Sequence, residues 1–299
     1  METFAAALAD RVLLLDGGLA TRMEARGHDL SDMLWSARLL MTDPDEVRAT
    51  HADFFAAGAE VATTASYQVS ESGFEAAGRT AGEAREALRR SVRLAREAAE
   101  SFDGPRWVAA SVGPYGATLA DGSEYRGSYG LSVAELRSWH RPRLEILVEA
   151  GADLLACETI PSLAETEALA AELAALGVPA WISLTTVGDR TRRGEPASEA
   201  YAIAAEVPAV IALGANCCDP DDAVAVVGAV GGRRPVIFYP NSGETWDAGA
   251  RTWTGRAVVG DSARSWADAG VRALGGCCRV TPDQIAGMAA SQRSRHPPD

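Results

Sequence analysis

A single-domain (β/α)₈ barrel is the fold this sequence predicts, and three observations carry the prediction. Strand-length apolar runs alternate with helical patterns eight times along the chain, which is the grammar of a parallel sheet wound with helices. Gly58, Gly151 and Gly270 each stand at the end of a helical stretch and lead straight into a strand, as helix-ending glycines do. No Gly/Ser/Pro linker divides the 299 residues, and 47% hydrophobic composition suffices for one large core spanning about residues 10–290.

The elements follow in order. "RVLLLD" (11–16) opens the barrel, its unbroken apolar stretch fitting a strand covered on both faces. "TDPDE" supplies a cap and a proline for a helix over 43–57, which runs into the strand "AEVATTAS" (59–66). A helix over 80–100 precedes "RWVAASVG" (106–113), and one over 132–150 precedes "ADLLACET" (152–159). The pattern continues with helix 162–176, strand "AWISLTT" (180–186), helix 197–206 and strand "AVIALGANC" (209–217). "CDPDD" starts a helix over 219–230, "RPVIFYP" (234–240) is the seventh strand, and a helix over 261–269 leads to "VRALGGCC" (271–278). "VTPDQ" then begins the closing helix, 281–290. The long non-helical stretches 113–130 and 239–256 both follow strands, so they belong to the C-terminal face, where barrel enzymes keep their sites.

Composition removes several chemistries. The formal charge is −13, so no basic footprint for nucleic acid exists. All 28 cationic residues are arginine, which excludes a Schiff-base lysine, a lysine-anchored pyridoxal phosphate and a P-loop lysine. No apolar window of membrane-spanning length and no leader pattern at residues 1–15 is present, so the expectation is a soluble cytoplasmic protein, a monomer or weak homo-oligomer. In a reducing compartment five cysteines point to metal ligands, nucleophiles or core packing before disulfides.

Residues that end different strands of a barrel converge at its mouth, and here those ends are polar: Asp16, Ser66, Glu158, Asn216, Cys217, Asn241, Cys277 and Cys278. Cys217 from one strand end and the adjacent pair Cys277 and Cys278 from another offer three soft ligands, the number a catalytic zinc uses when its fourth position is left to substrate. Gly275 and Gly276 offer the departure from strand geometry that two neighbouring side chains need to face one ion. Plain core packing and a redox disulfide are the other readings of these cysteines, while Cys157 and Cys218 read as core residues. Three thiolates more than neutralise a divalent ion, which disfavours hydrolysis and suits a bound thiol substrate that must stay nucleophilic. Asp16 and Glu158 are placed to receive an ammonium group, and the amides of Gly17 and Gly18 a carboxylate.

The stretches "LLLDGGLATRMEARGHDLSDMLWSARLL", "TTASYQVS", "VGPYGATLADGSEYRG", "ACETIPS", "ALGANC", "YPNSGETWD" and "GGCCRVTP" resemble, in order along residues 10–290, the homocysteine S-methyltransferase family. The resemblance implies a zinc-containing barrel with the metal on Cys217, Cys277 and Cys278, and Asp16 and Glu158 near the homocysteine amino group; Ser66 and Asn216 join them as candidate substrate contacts. It implies methyl transfer from a sulfonium donor, S-methylmethionine or S-adenosylmethionine, to L-homocysteine, giving methionine. The chain leaves no room for the folate barrel of the cobalamin-dependent relatives and resembles the betaine-using ones less in its long loops. "GANCCDP" departs from the family pattern by a second cysteine, so either Cys217 or Cys218 is the ligand, with the spacing from Asn216 favouring Cys217. Aromatic faces attract a sulfonium, which makes Trp35, Tyr67, Tyr115, Tyr125 and Trp246 the candidates for the donor side. The only catalytic group expected is the metal-held substrate thiolate. A non-catalytic thiol-binding protein and a metal-free redox barrel are the competing readings.

Overall fold

In the computed structural model all eight expected strands form and pair in parallel around one sheet. The structure describes residues 2–31, 33–247, 252–255 and 257–293. The strands are β1 (Leu13–Leu14), β2 (Val61–Thr63), β3 (Trp107–Val112), β4 (Leu154–Ile160), β5 (Ala180–Leu184), β6 (Val210–Asn216), β7 (Val236–Tyr239) and β8 (Val271–Leu274). Neighbours in sequence are neighbours in the sheet, and β8 lies beside β1. Bridging of Leu15 to Val61, with Asp16 N–H donating to the Val61 carbonyl at 3.1 Å, closes β1 onto β2. The result is a (β/α)₈ barrel.

The helices between strands are α1 (Pro44–Ala56), α2 (Ala81–Ala99), α3 (Val133–Glu149), α4 (Leu163–Leu176), α5 (Ala197–Ala205), α6 (Ala223–Val230), α7 (Val259–Ala269) and α8 (Pro282–Arg293). Their starts follow local chemistry. Asp43 caps α1 with Pro44 at its first position, and Ser132 and Thr80 close capping boxes with Glu135 and Glu83. Gly177, Gly231 and Gly270 end α4, α6 and α7 in the left-handed conformation.

Side-chain parity along each strand sorts the core into two shells and thereby aims the site. Leu154 and Ala156 of β4 point into the barrel with Trp107, Ala109, Trp181, Ala212, Ile237 and Ala273, whereas Leu155 and Cys157 face the helices. The next inward position is Glu158, at the mouth. The bottom is stoppered by an additional helix, Phe4–Asp10, whose Phe4 packs on Trp107 and Trp181 at 5.9 Å from each ring. The sequence pattern places nothing before residue 11, because a seven-residue helix shows too little periodicity to register.

Three further differences concern the mouth. β8 ends at Leu274, four residues earlier than its apolar run suggests, so Gly275 to Cys278 form a loop rather than strand. Stretch 113–130 is not free of helix: it holds a turn at Tyr115–Thr118 and a 3₁₀ turn at Ser123–Tyr125. Stretch 239–256 contains an antiparallel hairpin, Thr245–Asp247 with Thr252–Thr254. Among the described residues no helix is long and apolar enough to cross a membrane.

Candidate active site

Three sulfurs meet at the C-terminal mouth. Cys277 Sγ lies 3.1 Å from Cys217 Sγ, and Cys217 Sγ lies 3.6 Å from Cys278 Sγ. All three fall within 4.8 Å of one another and are free thiols. Strand parity alone would turn Cys217 away from the barrel, since Asn216 before it faces inward. A left-handed step at Cys217, φ 52°, reverses this, a conformation that costs a non-glycine residue about 1–2 kcal/mol. The step is secured at its carbonyl, which accepts from Thr185 Oγ1 at 3.2 Å and Arg192 Nη2 at 3.4 Å. Across the mouth, Cys277 N–H donates to the Pro240 carbonyl at 2.7 Å and Cys278 N–H to Asn241 Oδ1 at 3.2 Å.

The glycines before the pair act by absence of a side chain, not by unusual backbone angles. Neither Gly275 nor Gly276 has positive φ. A Cβ on Gly275 would lie 2.7 Å from the Asp16 carbonyl oxygen, and one on Gly276 would lie 2.2 Å from Val280 Cγ1. Close approach of the Asp16 backbone at Gly275 and of the Val280 side chain at Gly276 therefore leaves no room for a side chain at either position.

The trio fits a tetrahedral thiophilic ion. Zinc–sulfur bonds of about 2.3 Å put tetrahedral sulfurs about 3.8 Å apart; the Cys217–Cys278 separation of 3.6 Å is near that and the Cys217–Cys277 separation of 3.1 Å is shorter. Hydrogen bonding from Cys217 and Cys277 holds the Cys278 thiol well below its ordinary range, and sharing with Cys217 and Cys278 pushes Cys277 up. One thiolate satisfied by two thiols is what three sulfurs adopt alone, and full deprotonation requires positive charge among them. Cys218 is not in the cluster; it is buried in the helix-facing core, as is Cys157, so Cys217 is the ligand candidate of its pair.

Above the sulfurs opens a cavity of about 370 Å³, lined among others by Gly17, Gly18, Thr63, Ser111, Glu158 and Asn216. Glu158 is its deep carboxylate, hydrogen-bonded by Ser111 Oγ. Burial raises its pKa to about 7 against the opposing hydrogen bonds of Ser111 and Tyr239, with Cys217 adding to the rise. Asp16 lies just beyond β1, outside the cavity lining. Its Oδ2 accepts from Thr63 N–H at 2.7 Å and its Oδ1 from Thr63 Oγ1, and burial lifts it to about 8 despite these bonds. Thr63, not Asp16, reaches the cavity. Gly18 N–H donates to the Val280 carbonyl at 2.9 Å, so that amide is committed elsewhere. Ser66 Oγ donates to the Ser111 carbonyl at 2.7 Å and is fully buried outside the cavity lining. The sequence reading overlooked Ser111, Thr159, Tyr239 and Glu124, all of which line the cavity. For Ser111 and Tyr239 the signal available was their inward parity on β3 and β7.

The aromatic candidates separate. Trp35 and Tyr67 line the cavity edge to face, ring centres 6.2 Å apart. Tyr125 also lines it, with its hydroxyl 3.3 Å from Cys217 Sγ and the Arg192 guanidinium 5.5 Å from its ring centre. Tyr115 does not reach the cavity; it packs on Tyr129 and Trp139. The side chain of Trp246 lies outside the described residues.

Residues 13–291 match the sequence model of the homocysteine S-methyltransferase family. The chain belongs to that family. It is 45% identical to the homocysteine S-methyltransferase of Escherichia coli K12, covering 95% of this chain and 97% of that one. It is 44% identical to a Bacillus subtilis homocysteine S-methyltransferase over 95% of each chain. A selenocysteine Se-methyltransferase from Brassica oleracea is 41% identical over 91% of this chain and 86% of its own. The crystal structure of the Escherichia coli homocysteine methyltransferase in its metallated form superposes with TM-score 0.86 at 43% identity, covering 95% of this chain and 98% of that one.

In this family member the sulfurs are braced by one amide. Asn216 Oδ1 accepts from Thr159 N–H at 2.7 Å and Ser183 Oγ at 2.8 Å, while Nδ2 donates to Thr159 Oγ1 at 2.8 Å and points at Cys277 Sγ from 4.0 Å. Thr159 needs that grip, because a β-branched residue at φ 61° is strained, and the β4–β5 register shifts at this point. Asn216→Ala is expected to weaken metal affinity by roughly 10–100-fold, as loss of a residue supporting metal ligands does. Competition with a chromophoric chelator measures it, and unchanged affinity would remove Asn216 from the brace.

Proposed function

We propose that this chain transfers a methyl group from a sulfonium donor, S-methylmethionine or S-adenosylmethionine, to the sulfur of L-homocysteine, producing methionine. The observation that carries the reading is the trio of sulfurs within 4.8 Å beneath a cavity sized for small molecules. Cys217, Cys277 and Cys278 would hold zinc, which when bound supplies positive charge that keeps a substrate thiol deprotonated yet nucleophilic at neutral pH. Thiols meant for a metal rather than a disulfide suit a reducing compartment, and we place the enzyme in the cytoplasm.

The chain's own residues do the rest. Glu158, oriented by Ser111 and Tyr239, takes the homocysteine ammonium. Thr63 and the backbone at Gly17, where a side chain would strike Phe54 and the Val280 carbonyl 2.7 Å away, bound the acceptor's far end. Asp16 fixes Thr63 from behind. Trp35, Tyr67 and Tyr125 form the aromatic wall against which the sulfonium rests. Methyl transfer between two sulfurs involves no proton in flight, so alignment and exclusion of water supply the rate.

Methionine formation from homocysteine with each sulfonium donor tests the proposal. Turnover with at least one is expected in metal-replete protein. Tight homocysteine binding with no methyl transfer from either would leave a thiol-binding protein and end the enzymatic reading.

A further inference from the structure

Among the described residues the cavity is lined by two carboxylates, Glu158 and Glu124, and the second has no role so far. Glu158 is deep and hydrogen-bonded, as described. Glu124 also lines the cavity, from the 3₁₀ turn Ser123–Tyr125. Its Oε2 is buried with no hydrogen-bond partner. Among the described residues no ion pair within 4.0 Å neutralises it. The turn is held tightly: a Cβ on Gly116 would fall 2.5 Å from the Glu124 nitrogen, and Ser123 N–H donates to Asp121 Oδ1 at 2.9 Å. The next residue, Tyr125, brings its hydroxyl to 3.3 Å from Cys217 Sγ, so the turn that carries Glu124 borders the sulfur end of the cavity.

A buried carboxylate oxygen with no donor is costly unless a cation arrives. Burial, with Cys217 adding, pushes the Glu124 carboxyl above its ordinary range, and a docked positive charge would offset that cost. The proposed reaction brings in two cations besides the homocysteine ammonium: the donor's own ammonium and its sulfonium. Only the sulfonium must approach the acceptor sulfur. Resting on the proposed function, we infer that Glu124 is a donor-binding residue whose carboxylate contacts the sulfonium charge, making the site select cationic methyl donors over the neutral thioethers they become.

The chemistry fixes where the effect shows. On transfer the bond from donor sulfur to methyl breaks as the bond to the acceptor sulfur forms, and the donor's positive charge disappears with the methyl group. A carboxylate beside that charge therefore favours bound donor and released product. It lowers the donor KM and does not raise kcat.

The test uses metal-loaded Glu124→Gln, with circular dichroism and metal content confirming an intact site. Its donor KM is expected to rise by about tenfold to thirtyfold, the order of a partly screened charge–charge contact, with the homocysteine KM within about twofold and kcat equal or slightly higher. Inhibition by the spent neutral thioether, competitive with donor, should change by less than about threefold. Glu124→Asp, which keeps the charge, should restore most of the preference for the cation over the thioether. An unchanged donor KM overturns the inference, as does an equal loss for donor and thioether, which would mean that Glu124 holds a shared group or merely shapes the wall. If the glutamine variant fails to fold, loss of the preference in Glu124→Asp overturns it instead. Wild-type protein inactive with every donor would overturn the function itself and is distinguished at the first step.

Discussion

Cys277→Ser is expected to leave a folded barrel that holds no ion and forms methionine at least about 1,000-fold more slowly than the parent, the loss of several kcal/mol of metal-derived stabilisation. The fold should survive because the Cys277 backbone, not its sulfur, ties the loop to β7 through the Pro240 carbonyl. The Sγ lies against the other two sulfurs of the trio and, more distantly, Asn216 Nδ2. A hydroxyl is a poor ligand for a thiophilic ion beside two thiolates. Parent protein purified under reducing conditions should carry about one zinc per chain and the variant a small fraction of that. Metal analysis and the methionine assay read the two consequences separately. A metal-depleted variant with full activity would return the cysteines to core packing or redox chemistry, and a variant that no longer folds would make the metal site structural.

Much of this was legible in the sequence because a buried parallel strand declares itself by an apolar run and its end by the first polar residue. "LLACET" gives both the strand and Glu158, and "ALGANC" gives Asn216 and Cys217. What the pattern cannot carry is parity beyond the strand. Asp16 reads like Glu158, yet lies outside the cavity lining with its two oxygens taken by Thr63. Ser66 is consumed in the same manner by the Ser111 carbonyl. Ser111 itself hides in "RWVAASVG", where a serine between alanine and valine looks like filler. Glu124 lies in a loop with no periodicity, and only the approach of its turn to Gly116 brings it to the cavity. The cysteine pair was visible, but the role of the glycines before it was not: Gly275 and Gly276 look like backbone hinges and prove to be gaps that the Asp16 backbone and the Val280 side chain fill.

Glu158→Gln is expected to raise the homocysteine KM by on the order of a hundredfold while changing kcat at saturation far less, since it removes a buried charge that meets the substrate ammonium. The amide can still accept from Ser111, so the wall should keep its shape and the donor KM its value. The pH dependence gives an independent signature. Burial sets the Glu158 carboxyl at about 7 before substrate arrives. Below that value it is protonated and neutral, and it must release its proton to pair with the ammonium. Homocysteine affinity should therefore fall more steeply below pH 7, by up to about a further tenfold per unit, than above it, where only the thiol proton released on metal binding remains to be lost. In Glu158→Gln the inflection attributable to this carboxyl should vanish and the affinity stay low across the range. A variant that keeps both the parent KM and the parent pH profile would show that the ammonium is held elsewhere, and the orientation of homocysteine over the sulfurs would have to be turned around.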